Sequence, residues 1–148
     1  MGKMMEGQMS QEDRKESSIF FKFYSYRELV FETLDYSEKF LAKFITEPEA
    51  ISAKVILREL LMNAVIHGNK SNKALSVKCA IEHLGGKRFK IWVGDEGLGF
   101  DYGSVANDDH DFQSCKRGRG YLLINRLSDG IQFNKKGNRV TVYLKCKA

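Results

Sequence analysis

Glu59 and Asn63 stand four residues apart in the run Glu59-Leu60-Leu61-Met62-Asn63-Ala64. On a helix that spacing sets one a turn above the other on the same face. The wheel places both beside Val55, Ile56 and Ile66, away from Lys54 and Arg58. A carboxylate and an amide in an apolar stripe carry a desolvation cost unless they are partnered. Alone, the pair also reads as a Glu–Asn hydrogen bond capping buried backbone. A second segment, Val93-Gly94-Asp95-Glu96-Gly97-Leu98-Gly99-Phe100, follows a strand-like run and contains Asp-x-Gly-x-Gly. Alternate glycines permit positive φ and close backbone approach to a ligand. Asp95, at the strand end, is placed to accept hydrogen bonds from an exocyclic amine. A third segment, Arg117-Gly118-Arg119-Gly120-Tyr121, sets glycines just before a helix. Amides at a helix start attract phosphate, and glycine lets it come close. Lys116, Arg117 and Arg119 add positive charge there. Each segment alone fits an ordinary turn or helix start; the three in this order carry more weight together.

The surrounding sequence predicts the elements that hold them. Ile19 to Tyr24 (IFFKFY) has the aromatic content of a strand. Ser25-x-x-Glu28 has the form of a capping box opening a helix through about Phe44. Thr46-x-x-Glu49, with Pro48 in the first turn, opens a second helix to about His67, where Gly68 suits its C-terminal stop. Ala74 to Leu84 alternates, with Leu75, Val77, Cys79 and Ile81 to one side and Ser76, Lys78 and Glu82 to the other. Gly85-Gly86 turns the chain, and Phe89, Ile91 and Val93 return as the second arm of a hairpin. Residues 101–117 have no hydrophobic period and read as a mobile loop, and Tyr121 to Leu127 as a short helix. Ile131 to Phe133 and Val140 to Cys146 form a second hairpin around Lys136-Gly137-Asn138. The order β-α-α-β-β-loop-α-β-β predicts an α+β two-layer sandwich, a mostly antiparallel sheet with helices on one face.

Composition sets the bounds. With 148 residues, 43% hydrophobic and 29% charged, the chain suits one soluble domain. Residues 1–17 read as a polar disordered tail and 18–148 as the folded domain. No apolar run approaches the ~20 residues that span a bilayer, and the first residues lack a signal-peptide stretch. A cytoplasmic protein without a membrane partner is expected. Cys79, Cys115 and Cys146 lack metal-ligand spacing and read as buried or incidental thiols. The net charge of +5 is spread along the chain, so direct nucleic-acid binding is not expected. Asp108, Asp109, His110 and Asp111 read as a solvated acidic loop, and His67 as a helix-end residue at the pocket.

Glu59…Asn63, Asp95-x-Gly97-x-Gly99 and Gly118-x-Gly120 resemble the Asn box and two glycine boxes of the Bergerat-fold ATPases. That superfamily holds gyrase, the heat-shock chaperone ATPase, mismatch-repair ATPases, histidine kinases and the bacterial anti-sigma factor serine kinases. The resemblance runs from about Ile19 to Cys146. It implies that ATP and Mg²⁺ are bound. Asn63 would ligate Mg²⁺ and Asp95 would bind the adenine amine. Gly97 and Gly99 would shape the pocket. Gly118, Arg119 and Gly120 would wrap the phosphates, with 101–117 as the lid. Asn138 stands where the superfamily often has a Thr beside the adenine; its amide still donates and accepts.

Glu59 points to one branch. A serine hydroxyl or a water gains from a general base, whereas an imidazole already carries a lone pair. Histidine kinases usually have Asn or His at the place of Glu59, and a basic residue where this chain has Ile66; no phosphoacceptor hairpin precedes the domain. Gyrase-like and chaperone-like enzymes need a further transducing domain. The sequence is most similar to the anti-sigma factor serine kinases, which bind a sigma factor with ATP and phosphorylate a serine of an anti-sigma-factor antagonist. The implied partners are such an antagonist and a sigma factor or similar regulator. A homodimer is implied by similarity alone, with Ile19–Tyr24 as an edge or interface strand. A silent ATP-gated module that sequesters a partner is the alternative reading.

Overall fold

Alternation in the β-branched and aromatic runs decides the frame. The computed structural model describes residues 17–99 and 116–147. The chain runs β1 (Ser18–Tyr24), α1 (Arg27–Leu41), α2 (Ile51–Met62), a π-helical turn (Asn63–Gly68), β2 (Ser76–Gly85) and β3 (Arg88–Gly94). It continues with α3 (Lys116–Leu127), β4 (Gly130–Phe133) and β5 (Arg139–Lys145). The strands form one sheet in the order β1-β2-β3-β5-β4, each neighbouring pair antiparallel. β1 and β4 are its edges, so the aromatic first strand is an edge as predicted.

Every second residue of the long strands is buried: Phe21 and Phe23, Val77 and Ile81, Phe89 and Ile91, Val142 and Leu144. Onto this layer pack Leu29 and Val30 of α1, Ile56, Leu57, Leu60 and Leu61 of α2, and Tyr121 and Ile124 of α3. The helices therefore share one face of the sheet, and the chain is the predicted α+β sandwich. The two described cysteines, Cys79 and Cys146, are buried free thiols in this core. Burial holds both pKa values up, that of Cys146 at about 11.

Three local expectations are corrected. Ser25 does not cap α1: the cap position is Tyr26, which makes no side-chain cap bond. The Ser25 hydroxyl instead donates to Leu75 O at 2.7 Å and accepts from Asn69 Nδ2 at 2.8 Å. Buried tertiary partners win over the local amide because they leave no polar group unpaired. α1 stops at Leu41 rather than near Phe44, and the chain tightens through Lys43 N to Phe40 O and Phe44 N to Leu41 O. Ser17 is not part of a free tail, since its carbonyl accepts from His83 N at 2.7 Å.

The reciprocal bonds of the second box form, but around a turn ahead of the helix: α2 starts at Ile51 rather than after Thr46, and its cap position, Ala50, makes no side-chain bond. Thr46 N donates to Glu49 Oε1 at 2.9 Å and Glu49 N to Thr46 Oγ1 at 3.4 Å. Glu49 also pairs with Lys87 at the β2–β3 turn, and that lysine, with the Thr46 amide, holds its pKa down from 4.5 to about 2. A depressed folded-state pKa means stability that is present above pH 4.5 and lost as pH falls toward 2. The melting-temperature gap between the wild type and Glu49→Gln should therefore shrink across that window; a constant gap would contradict it.

Candidate functional site

The site begins where α2 changes pitch. The Asn63 amide still donates to Glu59 O and Leu60 O, so the two residues keep their one-turn stacking. From Asn63 the ladder widens: Asn69 N donates to Ala64 O and Ser71 N to Val65 O, each at 2.8 Å. The helix was expected to continue regularly to His67; it becomes a π-helical turn at its polar residue. Such turns often mark functional positions. Asn63 is 8% exposed, and its buried Nδ2 has no hydrogen-bond partner among the described residues. The Glu59–Asn63 bond that would make the pair a mere cap is therefore not made. Glu59 lies at the margin of the apolar stripe rather than within it. Its side chain is 28% exposed and its carboxylate is 3.6 Å from Arg58, a weak solvent-screened pair.

Gly68 was expected to stop the helix through backbone freedom. It has no positive φ; Lys70 (φ 52°) and Ser71 (φ 58°) make the left-handed reversal. Gly68 is required by space: a Cβ there would lie 2.1 Å from Asp95 Oδ2. This contact joins the Asn63 turn to the Asp95 loop. Asp95 Oδ1 accepts from Gly97 N at 2.8 Å, fixing the carboxylate. A Cβ on Gly97 would lie 2.0 Å from Gly68 O, and one on Gly99 (φ 83°) 1.9 Å from Lys136 O. The predicted glycines thus pin the loop against the π turn and the β4–β5 turn.

Asn138 takes part differently from expectation. Asp95 N donates to Asn138 O at 2.9 Å, and Asn138 Nδ2 donates to Asp95 O at 3.1 Å. Its Oδ1 accepts from Asn134 Nδ2 at 2.8 Å. Its amide is committed to holding the loop in place of an open donor beside a base.

Sequence reasoning missed Asn69 and Glu96. Asn69 is 1% exposed; its Oδ1 accepts from Glu96 N at 2.8 Å, and its Nδ2 donates to Ser76 O at 2.9 Å as well as to Ser25. The Glu96 carboxylate accepts from the Ser76 amide at 2.6 Å and hydroxyl at 2.8 Å, bonds that hold its pKa low. No local spacing signals these partners, which lie on four separate segments. Asn69→Ala leaves several buried groups unpaired, at about 1–3 kcal/mol each. A lower denaturant midpoint and weaker ATP binding are expected together; unchanged values would remove the brace.

Gly118 and Gly120 do not precede a helix as predicted; with Arg119 they lie inside α3, which starts at Lys116. Lys and Arg are good helix formers and glycine costs only about 1 kcal/mol, so nothing local delays the start. α3 packs against α2 and the π turn, which brings this segment's helix to the same end of the molecule. Of the expected lid over 101–117, residues 101–115, including Cys115 and the acidic run Asp108 to Asp111, lie outside the described residues, and Lys116 and Arg117 belong to α3 instead of a loop. No described helix is long and apolar enough to cross a membrane.

The molecule is thus an α+β sandwich in which a polar helix end meets a glycine-pinned acidic loop. The family model of the histidine kinase-like ATPase domain matches residues 27–144, and the chain belongs to that family. It is an ATP-binding domain of this type. No curated protein matches the sequence.

Proposed function

We propose that this chain is an ATP-dependent protein-serine kinase of the anti-sigma factor type, with Glu59 as general base and Asn63 as the protein's ligand to Mg²⁺. The observation that carries the reading is the buried side-chain Nδ2 of Asn63, without a partner among the described residues, one turn from a partly exposed carboxylate. An amide's O and N exchange places by a simple flip, so the same position offers a neutral oxygen. A single such ligand suits Mg²⁺, which prefers to keep waters and phosphate oxygens around it. When bound, Mg²⁺ would neutralise charge on the triphosphate.

Asp95, held by Gly97 and Gly68, is assigned to the adenine amine. Gly118, Arg119 and Gly120 are assigned to the phosphates, within the first five residues of α3, whose N-terminal end favours anions. Glu59 receives the serine proton as the phosphate is transferred, its partly exposed side leaving room for a protein substrate. The partners are an antagonist carrying that serine and a sigma factor or similar regulator.

Incubation with γ-labelled ATP and candidate antagonists tests the proposal. Label on an antagonist serine, lost when magnesium is chelated, is expected. Tight ATP binding with no label on any candidate, together with ATP-dependent capture of a regulator, would instead establish the silent sequestering module.

A further inference from the structure

Strand register brings Lys22, Lys78 and Arg139, far apart in the sequence, onto one row of the sheet face opposite the helices. Across that face Phe20, Ala80, Trp92 and Thr141 lie in one row, one on each of four neighbouring strands. The next row, two residues along each strand, is Lys22, Lys78, Gly94 and Arg139. The row on the other side carries Glu82 beside Lys90. Phe20 and Trp92 meet with ring centres 6.0 Å apart, and the Arg139 guanidinium stacks 3.7 Å from the Trp92 centre. Lys22, Lys78 and Arg139 are exposed, and Gly94 leaves a cleft of about 190 Å³ between the latter two. Asp95 and Glu96 line the cleft as well, and the Glu96 carboxylate stays charged while it accepts from Ser76, so the positive row is Lys22, Lys78 and Arg139 at the cleft's margin.

We infer that this open face binds single-stranded nucleic acid. Rows two residues apart are separated by about 6.6 Å, and neighbouring strands by about 4.8 Å. A polynucleotide crossing the strands would lay phosphates along the basic row and bases against the aromatic row, the two contacts that such sites combine. A second copy with its strands facing in register would set Lys22, Lys78 and Arg139 near their own equivalents, and with the rows exchanged it offers them Glu82 as the one acidic partner, beside Lys90. An acidic protein satisfies the lysines and needs a separate apolar patch for Phe20 and Trp92; a nucleotide supplies both chemistries in one repeating unit. The basic and aromatic rows contain none of the residues assigned to ATP, although Asp95 and Asn138 also line the cleft, so the inference does not rest on the kinase reading.

Trp92 is the chain's single tryptophan and sits in the centre of the face, so its fluorescence reports occupancy. Titration of the full chain with an oligothymidylate about twenty nucleotides long, several site sizes, should quench Trp92. Three neutralised phosphates predict a log–log salt slope of about −2. The double variant Lys22→Glu/Lys78→Glu should keep the wild-type melting temperature and lose at least about tenfold in affinity; Phe20→Ala should lose about fivefold or more. Saturating Mg²⁺-ATP should leave binding unchanged, and Asp95→Asn should lose ATP while retaining the oligonucleotide. Four results would overturn the inference: no quenching at low salt; affinity undiminished in the lysine variant; competition by ATP; or quenching by polyglutamate as strong as by the oligonucleotide. Concentration-dependent quenching without oligonucleotide, matched by dimer formation in sedimentation, would assign the face to a second copy.

Discussion

Glu59→Ala is expected to bind ATP with an affinity close to the wild type and to transfer phosphate to its serine substrate at least about 10²-fold more slowly. General-base contributions of a positioned side chain run to about 10²–10⁴-fold. The separation of binding from transfer follows from the geometry. Asn63 is held by backbone bonds to the 59–60 turn and by burial, neither of which needs the Glu59 side chain. The only described ion pair of Glu59 is its long contact to exposed Arg58, so its removal leaves the fold almost unchanged. Isothermal titration with Mg²⁺-ATP and a single-turnover transfer assay measure the two parts. Normal transfer by the variant would take Glu59 out of the reaction, and loss of ATP binding would make it a structural support of the pocket.

Gly68→Ala and Gly97→Ala are expected to fail in different ways, although both glycines lie at the same contact. The new methyl at Gly68 would meet the Asp95 carboxylate, at 2.1 Å from Oδ2 and 2.7 Å from Oδ1. A side-chain end moves more cheaply than backbone, so Asp95 rotates away, breaking its bond to Gly97 N. ATP affinity should then fall about 10–100-fold, the loss of one hydrogen bond to a charged group at about 1.5–3 kcal/mol. The melting temperature should drop only slightly. At Gly97 the methyl meets Gly68 O at 2.0 Å and Gly68 C at 2.7 Å, which are backbone atoms of the π turn. Overpacking against a fixed chain costs about 1–3 kcal/mol. That variant should lose stability as well as ATP. Equal melting temperatures for the two variants would refute the distinction, and full ATP affinity in Gly68→Ala would release Asp95 from its assigned role.

Much of this arrangement was legible along the chain because it is local. Alternation in Val77-x-Cys79-x-Ile81 and Val140-x-Val142-x-Leu144 gives strand faces directly, since side chains alternate across a pleated strand. The Thr46-x-x-Glu49 bonds need only three residues' spacing, and they form, although the helix itself starts later, at Ile51. The same spacing at Ser25-x-x-Glu28 does not, because Ser25 has Leu75 and Asn69 as buried partners that no local rule contains. The glycines of Asp95-x-Gly97-x-Gly99 announced a close approach, but not what approaches: at Gly97 and Gly99 it is backbone from the π turn and from the β4–β5 turn.

By itself, then, the sequence determined the element types, the two-layer class and the candidates Glu59, Asn63, Asp95 and the glycines, since these depend on short-range periodicity and side-chain chemistry. Only the tertiary structure decided three further things. It made Gly68 a spacer for Asp95 rather than a helix stop, left the Asn63 Nδ2 buried without a partner among the described residues, and aligned lysines far apart in the chain on one open face. Steric contact, desolvation and strand register are properties of segments brought together, and no single stretch of the chain contains them.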